Sequence, residues 1–277
     1  TDTVVEGIHF TSESIGWHNL GWKVLASNIS DIASMGALPS YAVVTLGLPP
    51  HTKINDITDL YKGMLSIANQ YHVSFIGGDM VRSDQIFTSI TLTGTTTKDP
   101  LLRTTANVGD VVAVTGYLGG SAGGLQLIQQ SMKTNKASQD YLLACHQMPT
   151  PQVKSGRILV ECNIRTAMDI SDGLADDLSK LCLASNVSAK IFLNEVPVHS
   201  LLKKSFPETY NELALYGGED YELLFTARSD LISSIETKIN CPVTVVGELI
   251  NKTEKRILLI GANDQELEIS SMGWTHF

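Results

Sequence analysis

Positive charge is scarce in this chain: 20 Lys and Arg stand against 29 Asp and Glu, a formal net charge of −9. That balance argues against non-specific nucleic-acid binding and offers no basic patch to an anionic membrane. No apolar run is long enough to span a bilayer, so no membrane partner is expected. Cysteine is equally sparse. Cys145, Cys162, Cys182 and Cys241 are scattered, with no CxxC pair and no matching His spacing. This speaks against zinc and for free thiols in a reducing cytoplasm. Repeats, low-complexity runs and long linkers are absent. No signal peptide is visible, and the chain opens at Thr1 without Met, so its N-terminus is expected upstream. What remains is ordinary for a globular protein: 277 residues, 43% hydrophobic and 18% charged, enough for two domains.

The most informative stretch is Thr166 to Leu181, TAMDISDGLADDLSKL. It reads as a strand, Thr166 to Ile170, running into a helix from about Ser171 or Asp172. Leu174, Leu178 and Leu181 recur at the spacing of a buried helical face. Asp169, Ser171 and Asp172 crowd the junction. A helix start calls for one such residue as cap, and acids suit the positive end of its dipole. Asp169 is then left over, in a strand that reads as buried, where an unpaired carboxylate is costly unless it meets a cation. Capping and metal ligation stand as even alternatives on this stretch alone.

The rest of the chain adds acids of the same kind. Asp2 lies among threonines in an opening strand, facing either water or a ligand, with His9 after it. A helix from about Leu20 to Met35 carries Leu25, Ile29 and Ile32 on its apolar face. Its other stripe, Lys23, Ser27, Ser30, Asp31 and Ser34, is mostly small, as if something packs closely there. Asp31, a poor interior helix former, is the second candidate. Tyr41 to Leu48 reads as a strand, Ile57 to Gln70 as a helix, and Val73 to Ile76 as a strand ending in Gly77, Gly78 and Asp79. Those glycines allow either a tight turn or close approach of a ligand. Ile86 to Thr97 alternates with period two, as a half-buried strand does.

Leu102 to Gly109 reads as a connector, dividing the chain into 1–108 and 109–277. Asp110 to Thr115 is the next strand. The glycine-rich run that follows, GYLGGSAGGLQLI, matches neither a Walker A loop nor G-x-G-x-x-G and reads as close packing. Val153 to Glu161 reads as a helix and Ala189 to Leu193 as a strand. In LYGGEDYELLFT, Glu219 and Asp220 occupy a turn, while Tyr221, Leu223 and Phe225 alternate as a strand. Cys241 to Gly247 and Arg256 to Ile260 close the strand set. Trp274 stands close to the chain's end, in GWTHF.

Asp2, Asp31, Asp79, Asp169, Asp172 and Glu219 have no obvious Lys or Arg partner in sequence. Brought together, they would repel one another unless hard cations neutralise them. Oxygen donors without Cys or His clusters select Mg²⁺, whose open positions phosphate oxygens commonly fill. Such a site suits a nucleotide despite the shortage of positive side chains.

These segments resemble the thiamine-monophosphate kinases, of the superfamily that includes aminoimidazole ribonucleotide synthetase and selenophosphate synthetase. The resemblance rests on TDTVVEGIHF, NISDIASMGA, FIGGD, GDVVAVTGYLGGSAGGL, MDISDGLADDL, GGEDYELLF and GWTHF, in the family's order over nearly the whole chain. It implies an α/β (α+β) two-domain synthetase-like fold: an N-terminal half that binds ATP and pairs with its twin as a homodimer, and a C-terminal α/β half. It implies transfer of the ATP γ-phosphoryl group to thiamine phosphate. Asp2, Asp31, Asp79, Asp169 and Asp172, with Thr1, would hold several Mg²⁺ ions; Asp31, Asp79, Asp169 and Asp172 would carry the chemistry. Gly78, Asp79, Arg103 and Ser171 would contact ATP, with Tyr61 flanking its base. His9, Glu219, Trp274 and Phe277 would receive thiamine phosphate, Trp274 by stacking.

Two features depart from the family. Its upstream glycine- and aspartate-rich segment, GDDAA-like, is not in this sequence, and a protein starting at Thr1 is expected to fold but bind metal-nucleotide weakly. Its Arg-Pro-Thr-Pro-Arg motif reads MPTPQ, Met148 to Gln152, without either arginine. Other readings are a superfamily enzyme acting on an amide or selenide, and a non-catalytic binder of thiamine phosphate or nucleotide.

Overall fold

The computed structural model describes residues 1–269, and the apolar patterning of these residues resolves into two α/β units, each on its own sheet. The first unit contains β1 (Asp2–Val5), α1 (Trp17–Ser34), β2 (Leu38–Leu48), α2 (Ile54–Tyr71), β3 (Ser74–Arg82) and β4 (Phe87–Thr95). Its sheet order is β1-β4-β2-β3, with β2 parallel to β3 and antiparallel to β4. A parallel neighbour requires a crossover, which α2 supplies. Ala42, Val44 and Leu46 are at most 2% exposed, whereas Tyr41 and Val43, which alternate with them, are 54% and 39% exposed. One face of this sheet is therefore core, and the other is uncovered.

Two glycines set the spacing of α1 and α2. A Cβ on Gly21 would stand 1.9 Å from the Leu60 carbonyl oxygen, and one on Gly63 only 1.8 Å from that of His18. The helices thus touch backbone to backbone.

The second unit runs β5 (Val111–Thr115), α3 (Gly120–Gln129), α4 (Lys136–Gln147), α5 (Val153–Glu161), β6 (Thr166–Asp169), α6 (Leu174–Ser185), β7 (Ser188–Phe192), α7 (Ser200–Ser205), α8 (Tyr210–Tyr216), β8 (Leu223–Ala227), α9 (Ile232–Glu236), β9 (Val243–Ile250), β10 (Ile257–Ile260) and β11 (Glu266–Leu267). The sheet order is β11-β10-β7-β9-β5-β8-β6. Val112 and Val114 join a core with Leu174 and Leu178 of α6, whereas Ala113 between them joins one with Leu159 of α5. Both faces are covered, which explains the continuous apolar run of β5.

Several elements differ from the sequence reading. β3 does not stop at Ile76 but continues through Gly77, Gly78 and Asp79, because it follows β2 as far as the Leu48–Arg82 pair. Gly78 is needed for that pairing: a Cβ there would lie 2.1 Å from the Val44 carbonyl oxygen. Tyr221 does not belong to β8, since its φ of +53° takes it out of extended geometry. Helix α4, which the polar run KASQDYLLACHQ concealed, has a recognisable start, with the Asn135 side chain accepting the Ser138 N–H at 3.0 Å.

α1 is the joint between the units. Besides α2 and its own sheet, it packs on α4, α5 and β6. A Cβ on Gly156 of α5 would be 2.1 Å from the Ala33 carbonyl oxygen. The Trp22 indole donates to the Pro149 carbonyl at 2.8 Å and the Tyr71 hydroxyl to that of Pro151 at 3.0 Å, so the MPTPQ segment serves as a docking strap. Among the described residues, no helix is long and apolar enough to cross a membrane.

Candidate active site

The small-residue stripe of α1 faces the second unit, and there Ser30 Oγ donates to Asp169 Oδ2 at 2.7 Å. Asp169, at the end of β6, is 8% exposed. Burial, and then the charge of Asp31, push its carboxyl up to about 7. Burial and then Asp2 raise Asp31 likewise. The buried Tyr221 hydroxyl is raised too, by burial and by Glu219, Asp2, Asp169 and Asp31 together. One seam thus gathers Asp2 from β1, Asp31 from α1 and Asp169 from β6. Among the described residues, no lysine or arginine pairs with these three. Mutually repelling carboxylates lowered by no lysine or arginine side chain fit a hard divalent cation.

Asp172 is different. Its loop is organised by Asp177, one turn inside α6, whose Oδ2 accepts the N–H groups of Ser171, Asp172 and Gly173 at 3.0, 2.9 and 3.1 Å. This internal cap is why α6 begins at Leu174 and not at Ser171 or Asp172, as the sequence suggested. Lys180 then reaches Asp172, Asp176 at 2.7 Å and Asp177 at 3.2 Å. The carboxylates of Asp172, Asp176 and Asp177 lie within 4.8 Å of one another. The expectation that none of the six acids has a basic partner is therefore corrected twice. Asp172 has Lys180, and Glu219 has Lys23 at 2.8 Å. Asp177→Ala should loosen the loop and cost about 1–3 kcal/mol, because three amides, that of Gly173 buried and those of Ser171 and Asp172 half-buried, lose their acceptor. Denaturant unfolding measures it; a cost below about 0.5 kcal/mol would deny Asp177 that role.

The other predicted residues are spread along the same seam and beyond it. Ser171 O accepts the Glu219 N–H at 2.8 Å, and Ile170 O accepts that of Tyr221 at 2.9 Å, tying the two motif loops together. Asp2 registers with Ile90, Ile90 with Val44 and Val44 with Gly78. Gly78, with Asp79 beside it, is thus three strand spacings from Asp2, about 14 Å. Asp79 is exposed, and its Oδ1 accepts the Met80 N–H at 2.8 Å. Thr1 Oγ1 donates to the Ile90 carbonyl at 3.0 Å. His9 Nδ1 accepts the Val5 N–H at 3.1 Å, which folds the loop after β1. Tyr61 lines an apolar cleft of about 770 Å³ with Pro50, Ile57, Leu65, Met80 and Arg82. Arg103 sits at the other end of β6, where its carbonyl accepts from Ser185 Oγ at 2.9 Å and Leu102 N–H meets the Arg165 carbonyl. Trp274 and Phe277 lie outside the described residues.

The glycine-rich run serves packing, as its sequence suggested. Asp220 occupies the N-terminus of α3, accepting from Gly119 N–H at 2.7 Å and Ser121 N–H at 3.2 Å. Burial pushes Asp220 and Glu222 up to about 7, as it does Asp169. These values lie above the ordinary carboxyl values of 3.8 and 4.5. The folded protein therefore binds more protons than the unfolded chain until pH passes 7. His146, lowered by burial and Lys23 to about 4, acts in the opposite sense, but only below its ordinary 6.5. Metal-free protein should thus lose stability as pH rises from about 6.5 to 8. Thermal melts in chelator test this; a Tm that climbs across that window would contradict it.

Residues 1–96 match the family described as AIR synthase related protein, N-terminal domain, and residues 107–260 its C-terminal domain. Thiamine-monophosphate kinase of Bacillus subtilis is 36% identical over 286 residues, covering 100% of this chain and 86% of the relative. That of Escherichia coli is 32% identical, covering 100% and 85%. Among solved structures, AaThiL complexed with AMPPCP and TMP superposes with a TM-score of 0.88 at 29% identity, over 100% of this chain and 85% of that one. Hydrogenase maturation protein HypE in complex with ATP reaches 0.80 at 16% identity, over 98% and 84%, and shares the fold.

Proposed function

The chain belongs to the thiamine-monophosphate kinases of the AIR synthase-related family, and from that premise we propose how its seam performs the reaction. The enzyme transfers the ATP γ-phosphoryl group to thiamine phosphate, forming thiamine diphosphate and ADP. The observation that carries the proposal is the convergence of Asp2, Asp31 and Asp169 from both units, with no lysine or arginine paired to them among the described residues.

Asp2, Asp31 and Asp169 would hold Mg²⁺, with Asp172, Asp79 and Thr1 as further oxygen donors. When bound, the ions would neutralise the phosphate chains and the charge that shifts during transfer. The protein's own part is alignment. Ser30 fixes Asp169, Asp177 fixes the loop bearing Ser171 and Asp172, and Gly78 keeps the β3 backbone bare for a phosphate. The acceptor is already an anionic oxygen, so no general base is required and positioning dominates. ATP would run from the seam along β3, with its base at the Tyr61 cleft and Arg103 approaching the phosphates. Thiamine phosphate would meet Glu219 and His9; Trp274 and Phe277, expected to receive it as well, lie outside the described residues.

The division into 1–108 and 109–277 and a homodimer belong to the same proposal. The uncovered sheet face, with Tyr41 and Val43 exposed, supports pairing with a second copy. Sedimentation should give a dimer at micromolar concentration; a stable monomer would contradict it. All four cysteines are free, which supports a cytoplasmic location. Tyr61→Ala should raise the KM for ATP about tenfold, a loss near 1.4 kcal/mol, and leave that for thiamine phosphate within about twofold.

The functional test is chromatography of ATP, Mg²⁺ and thiamine phosphate after incubation with enzyme. Thiamine diphosphate and ADP should appear in equal amounts. Phosphorylation of free thiamine, with thiamine phosphate ignored, would overturn the assignment.

A further inference from the structure

Lys23 is the least expected charge in the structure. It lies on α1, in the first unit, with its side chain 7% exposed, and its Nζ is 2.8 Å from Glu219 Oε2 in the second. A buried ammonium needs a close, hydrogen-bonded anion, and Glu219 provides it. The two ring nitrogens of His146 lie 3.4 and 3.5 Å from the same Nζ, and Ser121 Oγ is 3.1 Å from His146 Nδ1. His146 is held neutral by burial and by the Lys23 charge. Lys23 is thus the single full positive charge on Glu219 among the described residues.

The pair is lopsided. Its lysine is sealed between α1 and α4, while the Glu219 side chain is 32% exposed. Oε2 is engaged by Lys23; Oε1 accepts no hydrogen bond from the described residues. The backbone beneath is equally fixed, with φ +65° at Glu219 and its N–H bound to Ser171 O at 2.8 Å. Along α1, Lys23 precedes Asp31 by eight residues on the same stripe, about 12 Å at the helical rise. Glu219, neutralised by Lys23, therefore marks one point along the α1 side of the junction, and Asp31, with no lysine or arginine on it, marks another. A molecule with an anionic phosphate at one end and an amino-bearing ring at the other fits that polarity.

We propose that Lys23 is a positioning residue for substrate recognition: by holding Glu219 Oε2 across the junction of the two units, it turns Oε1 toward the amino-bearing ring of thiamine phosphate. This rests on the reading that Glu219 receives thiamine phosphate. It also ties recognition of the acceptor to docking of the two units, because the cation and the anion come from opposite sides.

The experiment is steady-state kinetics, with each substrate varied, on wild type, Lys23→Met, Lys23→Gln, Lys23→Arg, Glu219→Gln and the Lys23→Met/Glu219→Gln double variant. Lys23→Met should raise the KM for thiamine phosphate about thirtyfold, while the KM for ATP stays within twofold and kcat within threefold. Lys23→Arg should recover most of the loss. The double variant should be no worse than Glu219→Gln, since the lysine acts through the glutamate. Lys23→Gln keeps a donor in the buried position without its charge; it should show the same split even if Lys23→Met fails to fold. Equal rises in both KM values, or multiplying effects in the double variant, would reduce Lys23 to a structural strut and overturn the proposal. If Glu219→Gln raises KM and Lys23→Gln does not, this inference alone fails. If Glu219→Gln has no effect, the glutamate's assignment fails and the proposal with it. If wild type does not use thiamine phosphate, the functional reading fails first.

Discussion

Asp169→Asn should lower turnover by about a hundred- to a thousandfold, the range seen when one preorganised electrostatic group is lost from a transition state, while the protein stays folded. Asn keeps the shape of the side chain and the contact with Ser30 Oγ, which lies 2.7 Å from Oδ2. It removes a buried charge whose neighbour is Asp31. Without metal, the variant should therefore melt at the same temperature as wild type or higher, because repulsion and desolvation both fall. Higher stability with lower activity is the signature of a group kept for function. Coupled ADP release and chelated thermal melts measure the two halves. A variant that is both inactive and strongly destabilised would assign Asp169 to the fold instead.

Gly63→Ala should do the opposite, disabling the enzyme by unfolding its first unit. The added Cβ would stand 1.8 Å from the His18 carbonyl oxygen and 2.8 Å from its carbon. Backbone atoms cannot turn aside as a side-chain end can, so α1 and α2 must separate along their contact. Overpacking typically costs about 1–3 kcal/mol and more where nothing can yield; here about 3 kcal/mol or more is expected. That is a large part of the 5–15 kcal/mol typical of a whole domain. Because α1 carries Lys23 and Asp31, its displacement should also abolish activity. Gly77→Ala is the control, since nothing lies within 4 Å of a Cβ there. Denaturant midpoints for the two variants should differ widely. Similar midpoints would mean that the α1–α2 contact is not held by its glycines.

The sequence displayed some of this plainly and hid the rest for physical reasons. Helix α5 has the bounds its pattern suggested, Val153 to Glu161, because a terminal Pro-Thr-Pro and a strong apolar face leave little choice. Asp169 was conspicuous because an acid at a buried strand end has no local use. The tightness of the α1 stripe was visible in its small residues, although the partner was not. The Lys23–Glu219 pair spans 196 positions, and no local rule joins such distant residues. Lys180 was closer, three and four residues after Asp177 and Asp176, and i,i+4 pairing could have revealed it. Its reach to Asp172 depends on a loop that only Asp177 folds. β3 ran past its expected end because strand length is set by the neighbouring strand, not by the glycines within it. Trp274 and Phe277 lie outside the described residues and remain sequence-based expectations.

In this mechanism carboxylates from both units act through divalent metal on the phosphates. The direct measurement is formation of thiamine diphosphate from ATP and thiamine phosphate as free Mg²⁺ is titrated, in wild type, Asp31→Asn and Asp169→Asn. Excess chelator should leave no product, wild type should be activated saturably, and both variants should shift to higher Mg²⁺ with a lower plateau. Product formed at an undiminished rate in chelator, or variants with the wild-type Mg²⁺ curve, would contradict it.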